Sequence, residues 1–137
     1  MKRTAIRVEP ISSYLENYRK RSTRSSPIHP VVIAGEMVFI SGLPPFDPDT
    51  GQITRAPMAR QAELVLEQMK LCLETAGSSL DRVVKCNVYC TPDPAHFGIF
   101  NEVYDRYFPA DAPARIFMHV PSWPAAFDVE IDCVAVL

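Results

Sequence analysis

The sequence predicts an α+β fold in which two helices cover one face of a mixed β-sheet. Three segments alternate side chains with period two, which is typical of strands with one buried face, and two further short β-rich pieces flank a tight turn. Two longer segments carry apolar residues three and four positions apart, which is typical of amphipathic helices. The order along the chain is ββαβαββ, and two helices can form only a single layer against such a sheet.

The first two strands are predicted at residues 31–33 and 37–41. The short connection between them contains Gly35, which is typical of a β-hairpin. Residues 42–51 are rich in proline, aspartate and glycine, so they predict a structured loop. The third strand is predicted at residues 83–90, between the two helices.

Both helices have recognisable ends in the sequence. The first is predicted over residues 57–76, because Pro57 suits a first helical turn and Gly77 is placed to end the helix. The second is predicted over residues 96–108, with Asp93 as a candidate capping residue. We expect the apolar stripes of both helices to pack in the core.

The last two strands, residues 114–120 and 128–135, bring a cation and two carboxylates to the sheet. Arg115 lies on the first of them, whereas Glu130 and Asp132 share one face of the second. The connecting loop is short enough for the two strands to pair antiparallel. Such a pair would place opposite charges on one sheet surface.

This charge pattern has two interpretations. A surface salt bridge between Arg115 and Glu130 would contribute roughly 0 to 1 kcal/mol and would carry no function. Alternatively, the guanidinium of Arg115 binds a carboxylate ligand, for which its planar fork is suited. Phe117 and His119 follow Arg115 at period two, so all three side chains are predicted on the same face.

The N-terminal part of the chain is predicted as an extension, residues 1–25, to a single domain, residues 26–137. Ile11, Leu15 and Tyr18 have helical spacing, which predicts a short amphipathic helix. The polar and basic residues after this helix predict a flexible arm.

Composition excludes several classes of function. The chain has 137 residues, 47% hydrophobic and 22% charged, with a net charge of −2, so neither nucleic acid nor a membrane is an expected partner. No apolar run is long enough to span a bilayer, and no apolar segment follows the basic N-terminus, so we expect a cytoplasmic protein. The cysteines lack metal-binding spacing, and we expect reduced thiols without a metal site: Cys72, Cys86, Cys90 and Cys133.

The sheet face left uncovered by the helices is predicted to be partly apolar. It is expected to carry Met37, Phe39, Tyr89 and Phe117. This is more apolar area than a monomer commonly leaves in water, so a homo-oligomer is expected.

Short motifs occur in a fixed order from about residue 28 to residue 136. They are Ile40-Ser41-Gly42-x-Pro44, Asp47-Pro48-x-Thr50-Gly51, Gln61, Ala76-Gly77-Ser78, Val84-Lys85, Asn101-x-x-Tyr104, Pro113-Ala114-Arg115 and Val129-Glu130-Ile131. This ordered set resembles the RidA/YjgF superfamily of reactive-intermediate deaminases. The resemblance implies a chorismate-mutase-like two-layer fold and a homotrimer with active sites in the clefts between subunits.

The resemblance also implies an activity and its residues. It implies hydrolysis of 2-imino or 2-amino-enoic acids, such as 2-aminoacrylate, to ketoacid and ammonia without a cofactor, as in a 2-iminobutanoate/2-iminopropanoate deaminase. By position, Arg115 matches the arginine that holds the substrate carboxylate, and Glu130 matches the carboxylate associated with the hydrolytic water. Ser41, Asn101 and Tyr104 fall among the substrate-binding positions. An imine carbon is already electrophilic, so a carboxylate anchor, a positioned water and a proton donor suffice.

Two departures from the family pattern make the predicted site more apolar. Many deaminases place a cysteine two residues after the arginine, where this chain has Phe117, here also predicted to line the site. The usual Gly-Pro-Tyr segment is Ser26-Pro27-Ile28 in this chain. Either the substrate is bulkier or conjugated, for instance an aminomuconate, or hydrolysis has been lost and a trimer that binds small molecules or proteins remains.

Overall fold

The computed structural model describes residues 2–20, 28–53 and 55–137. It contains a six-stranded mixed sheet and a helical layer. The elements are β1 (Arg3–Ile6), α1 (Ile11–Lys20), β2 (Val31–Ala34), β3 (Met37–Ile40), α2 (Met58–Thr75), β4 (Val83–Cys90), α3 (His96–Tyr107), β5 (Ala114–His119) and β6 (Val129–Val136), with one 3₁₀ turn at Leu80–Arg82. Within the described ranges, no helix is both long and apolar enough to cross a membrane.

From Val31 onward the element order is ββαβαββ, which confirms the predicted fold class. The predicted hairpin is present, and its turn residue Gly35 has φ 59°. Gly77 ends α2 with φ 87°, a conformation that glycine adopts without steric cost. The N–H of Ser78 then donates to the carbonyl of Leu73 at 2.8 Å, which closes the helix end.

The strand order is β1-β2-β3-β6-β4-β5, so the predicted antiparallel pairing of the last two strands is wrong. β4 lies between them, parallel to β5 and antiparallel to β6. A helix joins β4 to β5, and such a crossover brings the second strand back in parallel. The following loop then crosses the end of β4, where Val120 donates to Cys90 at 2.8 Å and Thr91 donates to Asp128 at 2.9 Å.

The N-terminal helix was predicted correctly, whereas the strand before it was not. Ile11 and Leu15 of α1 are buried in the same core as the sheet. β1 pairs antiparallel with β2 and forms one edge of the sheet. Its side chains are exposed or half-buried, so period-two alternation had no apolar face from which to predict it. The predicted flexible arm lies mainly in residues 21–27, outside the described residues.

The core lies between the sheet and the helices. α2 contributes most to it, with nine buried residues along one stripe. All four cysteines are free and buried, as predicted for thiols that pack as small apolar groups. In the described part of the chain, no group of three histidine, cysteine or carboxylate residues could hold a metal ion.

Among the described residues, no helix or loop layer covers the opposite face of the sheet. Phe39, Ile116 and Met118 are each 44% exposed on this face. Tyr89 also lies there, because it pairs with Glu130 across β4 and β6. Phe117 was predicted on this face, and that prediction is wrong: it pairs with the buried Val88 and lies on the helical side.

A buried glutamine holds the segment before β6 against α2. Gln61 has no exposed surface. Its Nε2 donates to the carbonyl of Ala56 at 2.7 Å and to Oδ2 of Asp128 at 2.9 Å, while its Oε1 accepts from the N–H of Asp128 at 2.8 Å. Burial tends to raise the pKa of Asp128, but hydrogen bonds from Gln61 and Thr91 and the charge of Arg55 hold this pKa below its usual value.

We expect Gln61→Leu to lower the free energy of unfolding by about 2 to 3 kcal/mol, because the substitution leaves the Asp128 carboxylate and its N–H without these partners. Urea denaturation at constant protein concentration measures the change. Glu74→Leu, at an exposed position of the same helix, is the control and should change the stability by less than about 0.5 kcal/mol. Equal losses in the two variants would show that these hydrogen bonds do not stabilise the fold.

Candidate active site

Four of the predicted site residues form one group, the arginine cluster: Arg115, Asn101, Tyr104 and Phe117. The Nη1 of Arg115 donates to Oδ1 of Asn101 at 2.8 Å. Its Cζ lies 4.7 Å from the centroid of the Tyr104 ring and 5.8 Å from that of Phe117. The guanidinium is therefore oriented by one hydrogen bond and by the face of an aromatic ring.

Local geometry explains why these residues meet. Asn101 and Tyr104 are three residues apart on α3, so they lie on one side of that helix. Arg115 and Phe117 are two residues apart on β5, so they lie on one face of the strand. Both side chains of β5 point towards the helical layer, because Arg115 pairs with the buried Cys86.

Arg115 is the charged member of this cluster. Burial raises the pKa of the Tyr104 hydroxyl, and it raises the pKa of the nearby Cys86 thiol to about 11, so both groups are neutral at pH 7. Among the described residues, no carboxylate forms a salt bridge with Arg115. A guanidinium has five N–H donors, and Asn101 accepts from one of them. The arginine cluster is thus equipped to bind an anion.

Phe117 forms part of an aromatic group beside Arg115. Its ring packs edge-on against Phe97, with centroids 5.0 Å apart, and against Phe100 at 5.9 Å. His119 lies 5.9 Å from it along the strand. The predicted shared face of the three β5 residues is confirmed. Phe117 thus forms an apolar wall next to the guanidinium, and its ring packs against side chains of α3.

The second group, the carboxylate cluster, lies on β6 and comprises Glu130 and Asp132. Both point to the uncovered face of the sheet, where Asn87 donates to Asp132 at 2.7 Å. Burial, together with the negative charge of Asp132, raises the pKa of Glu130 to about 7. Glu130 therefore holds a proton part of the time at neutral pH, as a general acid-base group requires.

The residues that follow β3 pack against Glu130. A Cβ atom on Gly42 would lie only 3.1 Å from Oε2 of Glu130, so glycine leaves room for this carboxyl group. Ser41 donates through its hydroxyl to the carbonyl of His29 at 2.7 Å. Ser41 thus ties the start of this loop to the segment before β2, and it lies with the carboxylate cluster rather than with Arg115.

Arg115 and Glu130 lie on opposite faces of the sheet in one chain. Arg115 shares its face with Cys86, whereas Glu130 pairs with Tyr89 on the other face, and β4 separates the two strands. The predicted meeting of the two charges on one surface of the same chain is therefore wrong, and no salt bridge joins them. The error follows from the assumed pairing of β5 with β6. A site that uses both residues needs a second subunit.

A cleft of about 740 Å³ opens beside Glu130. The cleft was not predicted from the sequence, because its walls come from α1, from the loop after β3 and from the loop before β6. Only the loop after β3 carries one of the family motifs, Ile40-Ser41-Gly42-x-Pro44. Its lining residues include Leu15, Tyr18, Gly42, Leu43, Trp123 and Phe127.

Comparison with known proteins agrees with the fold and the motifs. A family model described as Endoribonuclease L-PSP matches residues 22–137. Protein DfrA of Myxococcus xanthus is 41% identical over 105 residues, which cover 77% of this chain and 79% of DfrA. Reactive Intermediate Deaminase A, chloroplastic, of Arabidopsis thaliana is 30% identical over 133 residues, which cover 97% of this chain and 71% of the plant protein.

A solved structure extends this similarity to the three-dimensional fold. The crystal structure of E. coli TdcF with bound serine matches with a TM-score of 0.77 and 32% sequence identity, over 96% of this chain and 98% of TdcF. The family model covers most of the chain, and the relatives match most of their own length. The chain therefore belongs to the RidA/YjgF superfamily, which the endoribonuclease L-PSP family model describes.

Proposed function

We propose that this protein is a deaminase that hydrolyses 2-imino and 2-amino-enoic acids to ketoacid and ammonia, at sites shared between the subunits of a homotrimer. The observation that carries the proposal is the guanidinium of Arg115. It is held by Asn101 and Tyr104 on a partly buried surface, with no salt bridge to a carboxylate of the described residues. The carboxylate of a small substrate would supply the missing anion.

Glu130 would handle the protons of the reaction. Water attacks C2 of the imine, forms a C–O bond and passes one proton to the Glu130 carboxylate. The C=N π electrons shift to nitrogen, which takes this proton from Glu130 to give a carbinolamine. Glu130 then takes the proton of the new C2 hydroxyl and passes it to the amine nitrogen, so that the C=O double bond forms as the C–N bond breaks and ammonia leaves. A pKa of about 7 suits these transfers, because both forms of Glu130 are populated at neutral pH. An enamine substrate first gains a proton at its β-carbon to become the imine.

The placement of the two clusters supports an assembly of subunits. One chain presents Arg115 on the helical side of edge strand β5 and Glu130 on the uncovered face. A neighbouring subunit packed against this edge could bring its own Glu130 to the first subunit's Arg115. Burial of Phe39, Ile116 and Met118, which are exposed in one chain, would favour this assembly.

Two relatives support the substrate class. One of them is named as a reactive intermediate deaminase. TdcF has been crystallised with serine, which carries a carboxylate next to a carbon–nitrogen bond, as a 2-imino acid does. We therefore expect the ligand between Arg115 and Glu130 to be a small carboxylic acid with a nitrogen atom on C2.

The first test removes the carboxylate anchor. We expect Arg115→Ala to lower kcat/KM for 2-iminopropanoate by about 10² to 10³-fold, since a charged bidentate contact contributes a few kcal/mol in a desolvated site. The imine is generated in the cuvette by a dehydratase, and its loss is followed by absorbance. Light scattering checks that the assembly is intact.

Arg106→Ala is the matched control for this test. Arg106 lies on α3, its side chain is 64% exposed, and it pairs with Glu63 at 3.8 Å. We expect its activity to stay within about twofold of the unmodified protein. An unchanged rate for Arg115→Ala would refute the anchor role. Saturable binding of imino acids or ketoacids without turnover in the unmodified protein would favour the non-catalytic binding trimer instead.

The second test uses the titration of Glu130. Its pKa lies near 7 when folded and near 4.5 when unfolded, so the folded state binds more protons between these pH values. Stability should therefore fall as the pH rises from about 4.5 to 7. We expect Glu130→Gln to be more stable than the unmodified protein by on the order of 2 to 3 kcal/mol at pH 8, but equally stable at pH 4.

Urea denaturation at fixed protein concentration measures both differences. Glu36→Gln removes the same kind of charge from an exposed turn and serves as the control. A stability gain of equal size at pH 4 and pH 8 would contradict a carboxyl group that titrates near neutrality.

The third test concerns Phe117, which occupies the position of the family cysteine. We expect Phe117→Cys to shift relative activity towards small 2-imino acids, because the apolar wall 5.8 Å from the guanidinium is removed. The ratio of kcat/KM for 2-iminopropanoate and for the imine of leucine measures the shift. Loss of ring contacts with Phe97 and Phe100 should also reduce stability, so the ratio is compared below the unfolding transition. An unchanged ratio would exclude Phe117 from the substrate pocket.

A further inference from the structure

The cleft beside Glu130 is larger than a three-carbon imino acid needs. Its volume of about 740 Å³ falls in the range of roughly 300 to 1,000 Å³ in which proteins bind ligands of drug size. Of the described residues that line the cleft, Glu130 is the one with an ionisable carboxyl group. The cleft therefore joins the group that we propose for proton transfer to a much larger apolar space.

The walls of the cleft are apolar and come from three segments. α1 supplies Leu15 and Tyr18. The loop before β6 supplies Trp123 and Phe127, whose rings are stacked with centroids 5.1 Å apart. The loop after β3 supplies Leu43, which is buried. Such a surface recognises hydrocarbon rather than charge.

The wall formed by α1 is well supported. Leu15 is only 4% exposed and belongs to the core of the chain. The ring of Tyr18 meets Phe46 edge-on, with centroids 6.4 Å apart. Both residues precede residue 22, where the match to the family model begins. The N-terminal segment, which precedes the region matched by the family model, thus supplies one wall of the cleft.

We propose that this cleft is the subsite for the side chain of the substrate, and that it selects 2-imino acids with branched or aromatic apolar side chains. The inference rests on the proposed function, because Glu130 then holds C2 and its water at the entrance of the cleft. A side chain on C2 that points away from Arg115 enters the space between Tyr18 and Trp123. The apolar lining replaces water around this side chain.

The test compares two stable ketoacids, which are the reaction products and need no turnover to bind. Trp123 is the sole tryptophan of the chain, and it lines the cleft, so its fluorescence reports occupancy. We expect 4-methyl-2-oxopentanoate to bind at least tenfold more tightly than pyruvate, since each buried methylene contributes roughly fourfold in affinity.

Tyr18→Ala tests the wall itself. We expect it to bring the ratio of the two dissociation constants close to one. Tyr14→Ala is the matched control, because Tyr14 lies on the same helix and packs against the same Phe46 ring at 5.6 Å, yet lines a separate groove between α1 and α2. Its ratio should remain that of the unmodified protein. Ala126→Phe, at an exposed loop position on the cleft, fills the space without disturbing the core and should also abolish the preference.

The binding measurements test the subsite, whereas the turnover measurements test the deaminase activity. If 4-methyl-2-oxopentanoate binds no more tightly than pyruvate, or if Tyr14→Ala and Tyr18→Ala lower the ratio equally, the subsite is refuted even where imines are hydrolysed. If the size preference holds and depends on Tyr18 or Ala126, the subsite is supported. Absence of turnover with any imine would then refute deaminase activity alone.

Discussion

The alternation of side chains along strands is the constraint on which the arrangement of this protein depends. On β6 it places Ile131 in the core and Glu130 on the uncovered face. On β5 it places Arg115 against α3 and Ile116 on the uncovered face. Because β4 is inserted between these strands, the arginine and the glutamate cannot approach each other in one chain. Assembly of subunits is thus a geometric requirement for any chemistry that uses both.

The charged groups of the two clusters lie in different environments. Arg115 keeps its charge beside neutral groups, the Tyr104 ring and the Cys86 thiol, and a single amide fixes its orientation. Glu130 is partly withdrawn from water beside a second carboxylate, which makes its ionised form less favourable. An anionic substrate at the subunit boundary would compensate the charge of Arg115, and Glu130 would exchange its proton with water. In the proposed function, both groups would interact with a ligand at the subunit boundary.

The N-terminal segment contributes both to the sheet and to the cleft beside Glu130. β1 extends the sheet beyond β2, and Ile11 and Leu15 of α1 are buried in the core. The same helix presents Tyr18 to the cleft near Glu130. A segment that precedes the region matched by the family model thus forms a wall next to a residue of that region.

The sequence by itself determined the class of fold, the position of most elements and the members of the arginine cluster. The fold class and the elements depend on periodicities within single segments, as does the shared face of Arg115 and Phe117 on β5. Asn101 and Tyr104 were predicted as site residues from the resemblance to the family motifs. Only the tertiary structure decided the order of the strands, the face that Phe117 occupies and the cleft beside Glu130. Strand order depends on the path of a crossover connection, and the cleft depends on contacts between α1 and loops far away in the chain. Periodicity within a segment contains no information about either.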